Sequence, residues 1–429
     1  MASLNGTSAP NRNQLIVALD IGTSKVTCLI AQAQAAGQLR VVGIGKCDMR
    51  GMLRGTVVDM DSARDAIANT VHIAENMTGE TVKSVIASVS CGRPKSEIMS
   101  FEVPTVNGEV GSTDIKRILR RGHSVDNVID RELIHAIPVG FRLDDARGIR
   151  DPHGLFGKIL GAEIYTVTAE SGPIRNLAAC IRGCHLKIDH FVLAPYAAGL
   201  ATLGEDERNL GATVIDMGAG VTSVAVFQDG EIVFADCIPV GGQQVTNDLA
   251  HGLSTPIEQA ENLKIRFGNA MRSSADDSAI IDIPCLGAHS DAPPQPAPKS
   301  LLTGIIRPRL EETLELVRSR LRDTPYLTKD SRRVVLTGGA CQLRGVPELA
   351  GSIFDSKVWI GRALPLDGLA ETATSQAYTT CTGLLCFAAE TRTDTAGLGS
   401  ALGALAAAQS RSATSGVFGR LGGWLREHL

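Results

Sequence analysis

The sequence is poor in aromatic side chains, which make up only 4% of its 429 residues. Proteins that bind single-stranded nucleic acid without sequence preference stack bases on aromatic rings, so this scarcity argues against that class. There is no excess of positive charge either, since 42 Lys and Arg residues stand against 46 Asp and Glu residues and the net charge is −4. The electrostatic footprint of a DNA- or RNA-binding chain is therefore missing.

Paired cysteines and long apolar runs are also absent. None of the ten cysteines forms a CxxC motif, which argues against a zinc site and favours reduced thiols in a cytoplasmic protein. No apolar run reaches the roughly 20 residues needed to span a membrane. Residues 1–13 are polar and predict a disordered N-terminus without a signal sequence. With 44% hydrophobic residues, a chain of this length predicts two or more globular domains.

A strand, an aspartate, a glycine-bearing turn and a second strand occur twice, about two hundred positions apart. The first copy, 15–31, carries DIGTSK (20–25) between two apolar runs, and the second, 212–227, carries DMGAGVT (216–222). Short apolar runs bounded by turn residues predict buried strands. The duplication predicts a two-lobed phosphate clamp in which one hairpin from each lobe faces the other.

The residue types in the two turns suit phosphate. Glycine lets backbone N–H groups approach anionic oxygens because it has no Cβ and reaches positive φ without strain. Hydroxyl groups add further donors, and a lysine adds positive charge. The phosphate-binding residues predicted in the turns are Gly22, Thr23, Ser24, Lys25, Gly218, Ala219, Gly220 and Thr222.

Asp20 and Asp216 stand just before the turns. Two carboxylates facing a polyphosphate would repel it unless Mg²⁺ lies between them, so both are predicted metal ligands acting through water. The alternative is a pair of ordinary hairpins with Asp-Gly turns. That alternative suits either copy alone, whereas two copies in matching context favour nucleotide binding.

A third segment supports this interpretation. The apolar run 334–336 is followed by Thr337 and then by Gly338, Gly339 and Ala340. Such a turn has almost no side chains, so a flat adenine or ribose can lie directly on its backbone. A strand that ends in two glycines is weak evidence when taken alone.

The three segments resemble known motifs. ALDIGTSK (18–25), VIDMGAGVTSVAVF (214–227) and VVLTGGACQLRG (334–345) look like the phosphate-1, phosphate-2 and adenosine motifs of the actin/Hsp70/sugar-kinase ATPase superfamily. Within it, the chain resembles the FtsA family of actin-like bacterial cell-division proteins from about residue 14 to its last residue. The closer match rests on residues 51–55, 135–141, 184–189, 205–208 and 258–264.

This resemblance implies an α/β fold: an actin-like two-lobed ATPase with an inserted small α+β subdomain, called 1C, and a flexible C-terminal linker plus amphipathic helix. It implies ATP and Mg²⁺ as ligands. It also implies that Glu261 and Lys264 bracket the ribose and adenine, although an ordinary solvated ion pair at this spacing is the alternative.

The sequence itself indicates an insertion, because its residue composition and hydrophobic pattern change near residue 91. A predicted strand at 162–169 suggests that the first lobe resumes there. With the resemblance, the predicted division of the chain is a disordered N-terminus (1–13), a first lobe 1A (14–90 and 161–194), the inserted subdomain 1C (91–160), a second lobe 2A (195–241 and 306–390), a subdomain 2B (242–305), a flexible linker (391–415) and a membrane-targeting helix (416–429).

The last residues predict an amphipathic helix after a linker rich in Ala, Gly, Ser and Thr. At ~100° per residue, one face is apolar and the other carries arginines, which is the composition of a helix lying in a membrane interface. Docking of this helix on the protein's own body or on a partner is the alternative. The predicted membrane-contacting residues are Val417, Phe418, Leu421, Trp424, Leu425, Leu429, Arg420 and Arg426.

The resemblance implies a peripheral protein at the cytoplasmic face of the cell membrane at the division site. It would form filaments, tether FtsZ by binding the FtsZ C-terminal peptide on 2B, recruit late division proteins through 1C, and bind no nucleic acid. Several relatives place Glu before the proline of the connecting helix, where this chain has Ala194. We therefore predict slow or absent hydrolysis and assign no catalytic residue. A small-molecule kinase of the same superfamily is the alternative, since DIGTS also opens carbohydrate kinases.

Overall fold

The computed structural model describes residues 15–34, 38–123, 130–285, 294–322, 324, 333–369 and 374–397. The predicted disordered N-terminus (1–13) and membrane-targeting helix (416–429) lie outside this part of the chain. Within it, no helix is long and apolar enough to cross a membrane.

The first lobe is built on a five-stranded sheet. Its strands are β1 (Leu15–Ile21), β2 (Lys25–Ala33), β3 (Leu39–Asp48), β6 (Ser84–Val89) and β11 (Lys187–Leu193). They lie in the order β11-β6-β1-β2-β3, with β1, β2 and β3 antiparallel and β1, β6 and β11 parallel. The small hairpin β4 (Met52–Leu53) and β5 (Thr56–Val57) follows β3, and helices α1 (Met60–Thr78) and α3 (Ser171–Gly183) complete this lobe.

The second lobe repeats this sheet strand for strand. Its strands are β12 (Ala212–Met217), β13 (Thr222–Gln228), β14 (Glu231–Ile238), β17 (Val334–Thr337) and β18 (Val358–Ile360). The order is β14-β13-β12-β17-β18, again with one antiparallel meander and two parallel neighbours. Helix α10 (Val346–Phe354) precedes β18. The predicted duplication of strand, aspartate, turn and strand is therefore confirmed.

An inserted subdomain has its own sheet and core. It consists of β7 (Lys95–Pro104), α2 (Ser112–His123), β8 (Arg131–Leu143), β9 (Ala146–Ile149) and β10 (Ile159–Glu170), with sheet order β7-β10-β8-β9. Strand β10 pairs with β7 and β8 along its whole length. The interpretation of 162–169 as the return of the first lobe is therefore wrong. An apolar strand pattern shows that a strand is buried but not which sheet buries it.

The inserted subdomain is attached to both lobes. The Ser96 hydroxyl of β7 donates to the Ala235 carbonyl at 2.9 Å and accepts from the Ala235 amide at 3.1 Å, across to edge strand β14 of the second lobe. On the other side, Nε2 of His135 in β8 accepts from the Leu193 amide of β11 at 2.9 Å. Burial lowers the pKa of His135 to about 3, so the ring is neutral and able to accept this hydrogen bond.

A mostly helical subdomain follows β14. It contains α6 (Gly242–Gly252), α7 (Ile257–Phe267), α8 (Ser274–Ser278), the strand pair β15 (Ile280–Ile283) and β16 (Gln295–Pro298), and α9 (Ser300–Arg322). Its strand β16 falls within the Pro-rich stretch 288–299, which the sequence presents as a loop. The two prolines are compatible with this strand because, among the described residues, the sheet has only two strands and one edge of β16 has no partner.

Two helices rich in small residues cross between the lobes. They are α4 (Ala194–Thr202), which leads into the short α5 (Glu205–Leu210), and α11 (Thr379–Gly397). A Cβ placed on Gly383 would lie 1.7 Å from the Ala197 carbonyl oxygen, so the helices are in backbone contact as their small residues predict. Because α11 continues to Gly397, the predicted start of the flexible linker at 391 is wrong. Ala- and Thr-rich composition does not mark where a helix ends.

Candidate functional site

The turns of the two hairpins meet between the lobes. Each closes in the same way, with the Gly22 amide donating to the Lys25 carbonyl and the Gly218 amide donating to the Val221 carbonyl, both at 2.9 Å. A Cβ on Gly220 would lie 2.4 Å from Oγ1 of Thr23, so glycine is required for this contact. The predicted arrangement of one turn from each lobe, face to face, is present.

The second turn also rests on the start of α6. The carbonyl oxygens of Gly218 and Ala219 accept from the amides of Gly242 and Gln243 at 2.9 and 2.7 Å. A Cβ on Gly241 would lie 2.6 Å from the Gly218 carbonyl oxygen. Backbone hydrogen bonds therefore hold the second turn against the start of α6, at a distance that a larger residue at position 241 would disrupt.

The two aspartates occupy equivalent places, each one residue before the end of its strand. Oδ1 of Asp20 accepts from the Ser88 hydroxyl at 2.7 Å, and Oδ2 of Asp216 accepts from the Thr380 hydroxyl at 3.0 Å. Burial raises the pKa of Asp20. Burial and, secondly, the negative charge of Asp20 raise the pKa of Asp216 to about 6. The two carboxyl groups are thus close enough to oppose each other's ionisation.

This donor set fits the predicted Mg²⁺. Hard oxygen ligands suit that ion, which keeps several waters and takes only one or two carboxylates from a protein in phosphate sites. A divalent cation between Asp20 and Asp216 would also relieve the repulsion that raises the pKa of Asp216. The remaining ligands would come from water and phosphate.

The predicted adenosine-binding residues also come together. A Cβ on Gly242 would lie 3.0 Å from that of Ala340, and Nζ of Lys264 donates to the Gly242 carbonyl at 3.1 Å. The same ammonium contacts the Glu261 carboxylate at 2.7 Å and the Thr246 hydroxyl at 2.8 Å. Only 15% of the Lys264 side chain is exposed, so this is not an ordinary solvated ion pair.

Gly338 has a backbone conformation and a close contact that the third turn requires. Its φ of +85° suits glycine, and a Cβ there would lie 2.3 Å from Oδ1 of Asp216. No neighbouring atom lies within 4 Å of the Cβ position of Gly339. The turn therefore packs against the second aspartate on one side and is open on the other.

Two of the predicted phosphate-binding residues, Lys25 and Thr222, have side chains that are already bonded or buried. Nζ of Lys25 donates to the Ala377 carbonyl of the other lobe and sits 4.8 Å from the centre of the Tyr378 ring, while burial lowers the pKa of its ammonium. Thr222 is fully buried within its sheet. Of the three predicted hydroxyls, Thr23 is partly accessible and Ser24 is exposed.

Several contacts of the site have no motif in the sequence. Ser88 and Thr380 hold the aspartates from positions far along the chain. The Gly55 amide donates to Oγ1 of Thr23 at 2.9 Å, which brings the β4–β5 hairpin to the first turn. Residues 51–55 stand out in the sequence only through the family resemblance, and no spacing rule links them to the turns.

Ala194 lies at the first position of α4 and is buried. Its methyl group has no atom that can orient a water molecule. The consequence for hydrolysis remains a prediction.

A separate cavity of about 990 Å³ lies behind the connecting helices, bounded by the inserted subdomain, α5 and α11. Its lining includes four arginines, five carboxylates and four phenylalanine or tyrosine rings. These residues are Arg142, Arg147, Arg150, Arg208, Glu163, Glu205, Asp229, Glu231, Glu390, Phe141, Tyr196, Phe227 and Phe387. Part of the lining is formed by β8, which pairs with β9 only at Phe141 and Leu143, so much of that edge of β8 has no neighbouring strand among the described residues.

The fold and the paired turns define an actin-like two-lobed protein. Among solved structures, the chain is similar to a PilM-PilN type IV pilus biogenesis complex, with a TM-score of 0.59, 15% identity and coverage of 87% of this chain and 98% of that one. It is also similar to MreB5 of Spiroplasma citri bound to ADP, with a TM-score of 0.53, 15% identity and coverage of 90% and 99%. At these identities the likeness concerns the fold alone.

Sequence comparison is more specific. The family model "Cell division protein FtsA" matches residues 213–383, and "SHS2 domain inserted in FTSA" matches 92–168. The chain is 38% identical to the cell division protein FtsA of Rhizobium meliloti (strain 1021), over 97% of this chain and 95% of that protein. It is 31% identical to that of Escherichia coli (strain K12), over 88% and 91%. The chain therefore belongs to the FtsA family of cell-division proteins.

Proposed function

We propose that this actin-like cell-division protein binds Mg-ATP between its lobes and acts mainly as a nucleotide-bound scaffold. The observation that carries the proposal is the convergence of both glycine turns, both aspartates and the Gly338–Ala340 turn on one cleft. Gly22, Thr23, Ser24, Gly218, Ala219 and Gly220 would surround the phosphates. Glu261 and Lys264 would lie beside the ribose and adenine.

Hydrolysis in this proposal is slow or absent. A metal held between Asp20 and Asp216 neutralises phosphate charge, but cleavage also requires a group that orients the attacking water. The family-like position for that group is the methyl of Ala194. A steady-state turnover comparable to that of a metabolic kinase would contradict this part of the proposal.

At the membrane, the scaffold would tether FtsZ. The C-terminal helix would lie in the lipid interface through the residues named above, and the FtsZ C-terminal peptide would dock on the subdomain around 242–305. That subdomain exposes large apolar side chains, with Ile257 57% and Ile280 61% exposed, which suits the docking of a short peptide. Filament formation would join many weak lipid anchors into firm attachment.

The inserted subdomain would recruit the late division proteins that build the septal wall. The cavity supports this role because it adjoins a stretch of β8 that has no neighbouring strand among the described residues, and an extended peptide segment can add to an open strand edge.

Flotation with lipid vesicles tests the scaffold. The full chain and a chain ending at Ser415 would each be mixed with Mg-ATP, FtsZ and vesicles. We expect the full chain to float and to carry FtsZ with it, while the shortened chain stays behind. If both chains stay behind, the tail is not a membrane anchor. If the full chain floats without FtsZ, the tethering role is wrong.

A further inference from the structure

The tip of the β4–β5 hairpin lies between the two phosphate turns. The Gly55 amide bonds to Thr23 of the first turn, and a Cβ on Gly55 would lie 2.7 Å from Cγ2 of Val221 in the second. It would also lie 3.3 Å from the hydroxyl oxygen of Ser90, just beyond β6. The hairpin therefore contacts both halves of the site through one buried glycine.

The residue before this glycine has an unusual backbone. Arg54 and Gly55 are the two loop residues between β4 and β5, and their φ angles are +49° and +78°. A two-residue hairpin loop with both φ angles positive strongly favours Asn-Gly, Asp-Gly or Gly-Gly. An arginine here adopts a backbone that costs conformational energy, and such strain tends to occur at functional sites.

Arg54 is also a charge with no assigned partner. It is exposed, and it makes no hydrogen bond or ion pair to any residue that the structure describes. By contrast, Lys25 of the first turn directs its ammonium to the Ala377 carbonyl and the Tyr378 ring. Arg54 thus places an exposed cation one residue before Gly55, whereas the ammonium of Lys25 already has partners in the other lobe.

We propose that Arg54 binds the outermost phosphate of a nucleoside triphosphate and makes the site prefer the triphosphate over the diphosphate. This inference rests on the proposed nucleotide site. Guanidinium is suited to the role because its planar fork can bond two phosphate oxygens at once. The hairpin tip contacts Thr23 and Val221 of the phosphate turns, whereas Lys264 contacts Gly242, Thr246 and Glu261, so the diphosphate would lose the Arg54 contact while keeping the others.

The test compares the affinities for Mg-ATP and Mg-ADP, measured by titration calorimetry on the full chain. Arg54→Asn removes the cation but suits the left-handed backbone, so the hairpin is kept. Arg54→Lys keeps a point charge without the fork. Arg40→Ala is the matched control, because Arg40 is the second residue of β3, and the one ion pair of its side chain among the described residues is an exposed 3.9 Å contact with Asp367.

We expect Arg54→Asn to weaken ATP binding about tenfold and to change ADP binding less than about twofold, as for loss of one charged hydrogen-bonded contact. The ATP affinity of Arg54→Lys should lie between those of Arg54→Asn and the wild type, and Arg40→Ala should bind both nucleotides as the wild type does. An unchanged ratio of the two affinities in Arg54→Asn would overturn the inference and leave the nucleotide site standing. If the wild type bound neither nucleotide, the proposed site itself would fall, and this inference with it.

Discussion

Gly383 of α11 lies directly against the backbone of Ala197 in α4, so close that a Cβ on the glycine would sit 1.7 Å from the carbonyl oxygen. This contact joins the two helices that cross between the lobes. All residues of α4 are buried, as are residues 379–385 and 388 of α11.

Gly383→Ala should therefore destabilise the protein. Overpacking of a full core costs about 1–3 kcal/mol, and a contact with backbone is at the upper end because the helix itself must shift. The measurement is the free energy of unfolding in denaturant. Gly304→Ala is the control, since Gly304 is helical with no atom within 4 Å of its Cβ position, and it should raise stability by about 0.5–1 kcal/mol. Equal effects of the two changes would show that the helix contact is looser than described.

Ser96→Ala should weaken the attachment of the inserted subdomain to the second lobe. The hydroxyl serves both the amide and the carbonyl of Ala235 on an edge strand, and its loss leaves two part-buried backbone groups without their partner. The expected cost is about 1–3 kcal/mol. Ser100→Ala on the same strand, where the serine is exposed, should stay within about 0.5 kcal/mol of wild type. A Ser96→Ala variant as stable as Ser100→Ala would contradict the role of this contact.

Asp216 should make stability depend on pH in the absence of nucleotide and metal. Its folded pKa of about 6 lies above the ordinary value of 3.8, so between these values the folded state binds the proton more tightly than the unfolded state. Its carboxylate therefore destabilises the fold fully above pH 6, and this penalty is relieved as the pH falls toward 4.

The free energies of unfolding of the wild type and of Asp216→Asn, measured between pH 7 and pH 4, test the direction of this pH effect. The stability of wild type relative to the variant should rise as the pH falls from about 7 to about 4, by at most about 3 kcal/mol for a shift of two units. A difference that stays constant with pH, or that falls, would show that Asp216 is not held in a site that disfavours its charge.

Lys264→Met should reduce ATP affinity about tenfold or more, because it removes a charged donor that holds the Gly242 carbonyl and Glu261 together. Arg266→Met on the same helix is the control, since Arg266 is exposed and the substitution is chemically similar. Melting temperatures of both variants separate loss of binding from loss of folding. ATP affinity that is the same in both variants would exclude Lys264 from the site.

The sequence predicts best those parts of the site whose residues all lie in one short segment. DIGTSK and DMGAGVT each contain a strand end, a carboxylate and a glycine turn, so their shape follows from local rules. Ser88, Thr380 and Gly55 are brought to the same place by the tertiary fold, and no local rule marks them. The same limit applies to strand β10. Its apolar pattern predicts that the strand is buried but not which strands it pairs with.

The strand-for-strand repetition of the two sheets has a consequence for how the cleft works. Each lobe carries one carboxylate and one turn, so neither lobe alone provides more than half of these groups. The affinity for the proposed nucleotide would therefore depend on the spacing of the two lobes as well as on individual side chains. A nucleotide bound as proposed would span the gap between the lobes, so any partner that changed that gap would also change how tightly the nucleotide is held.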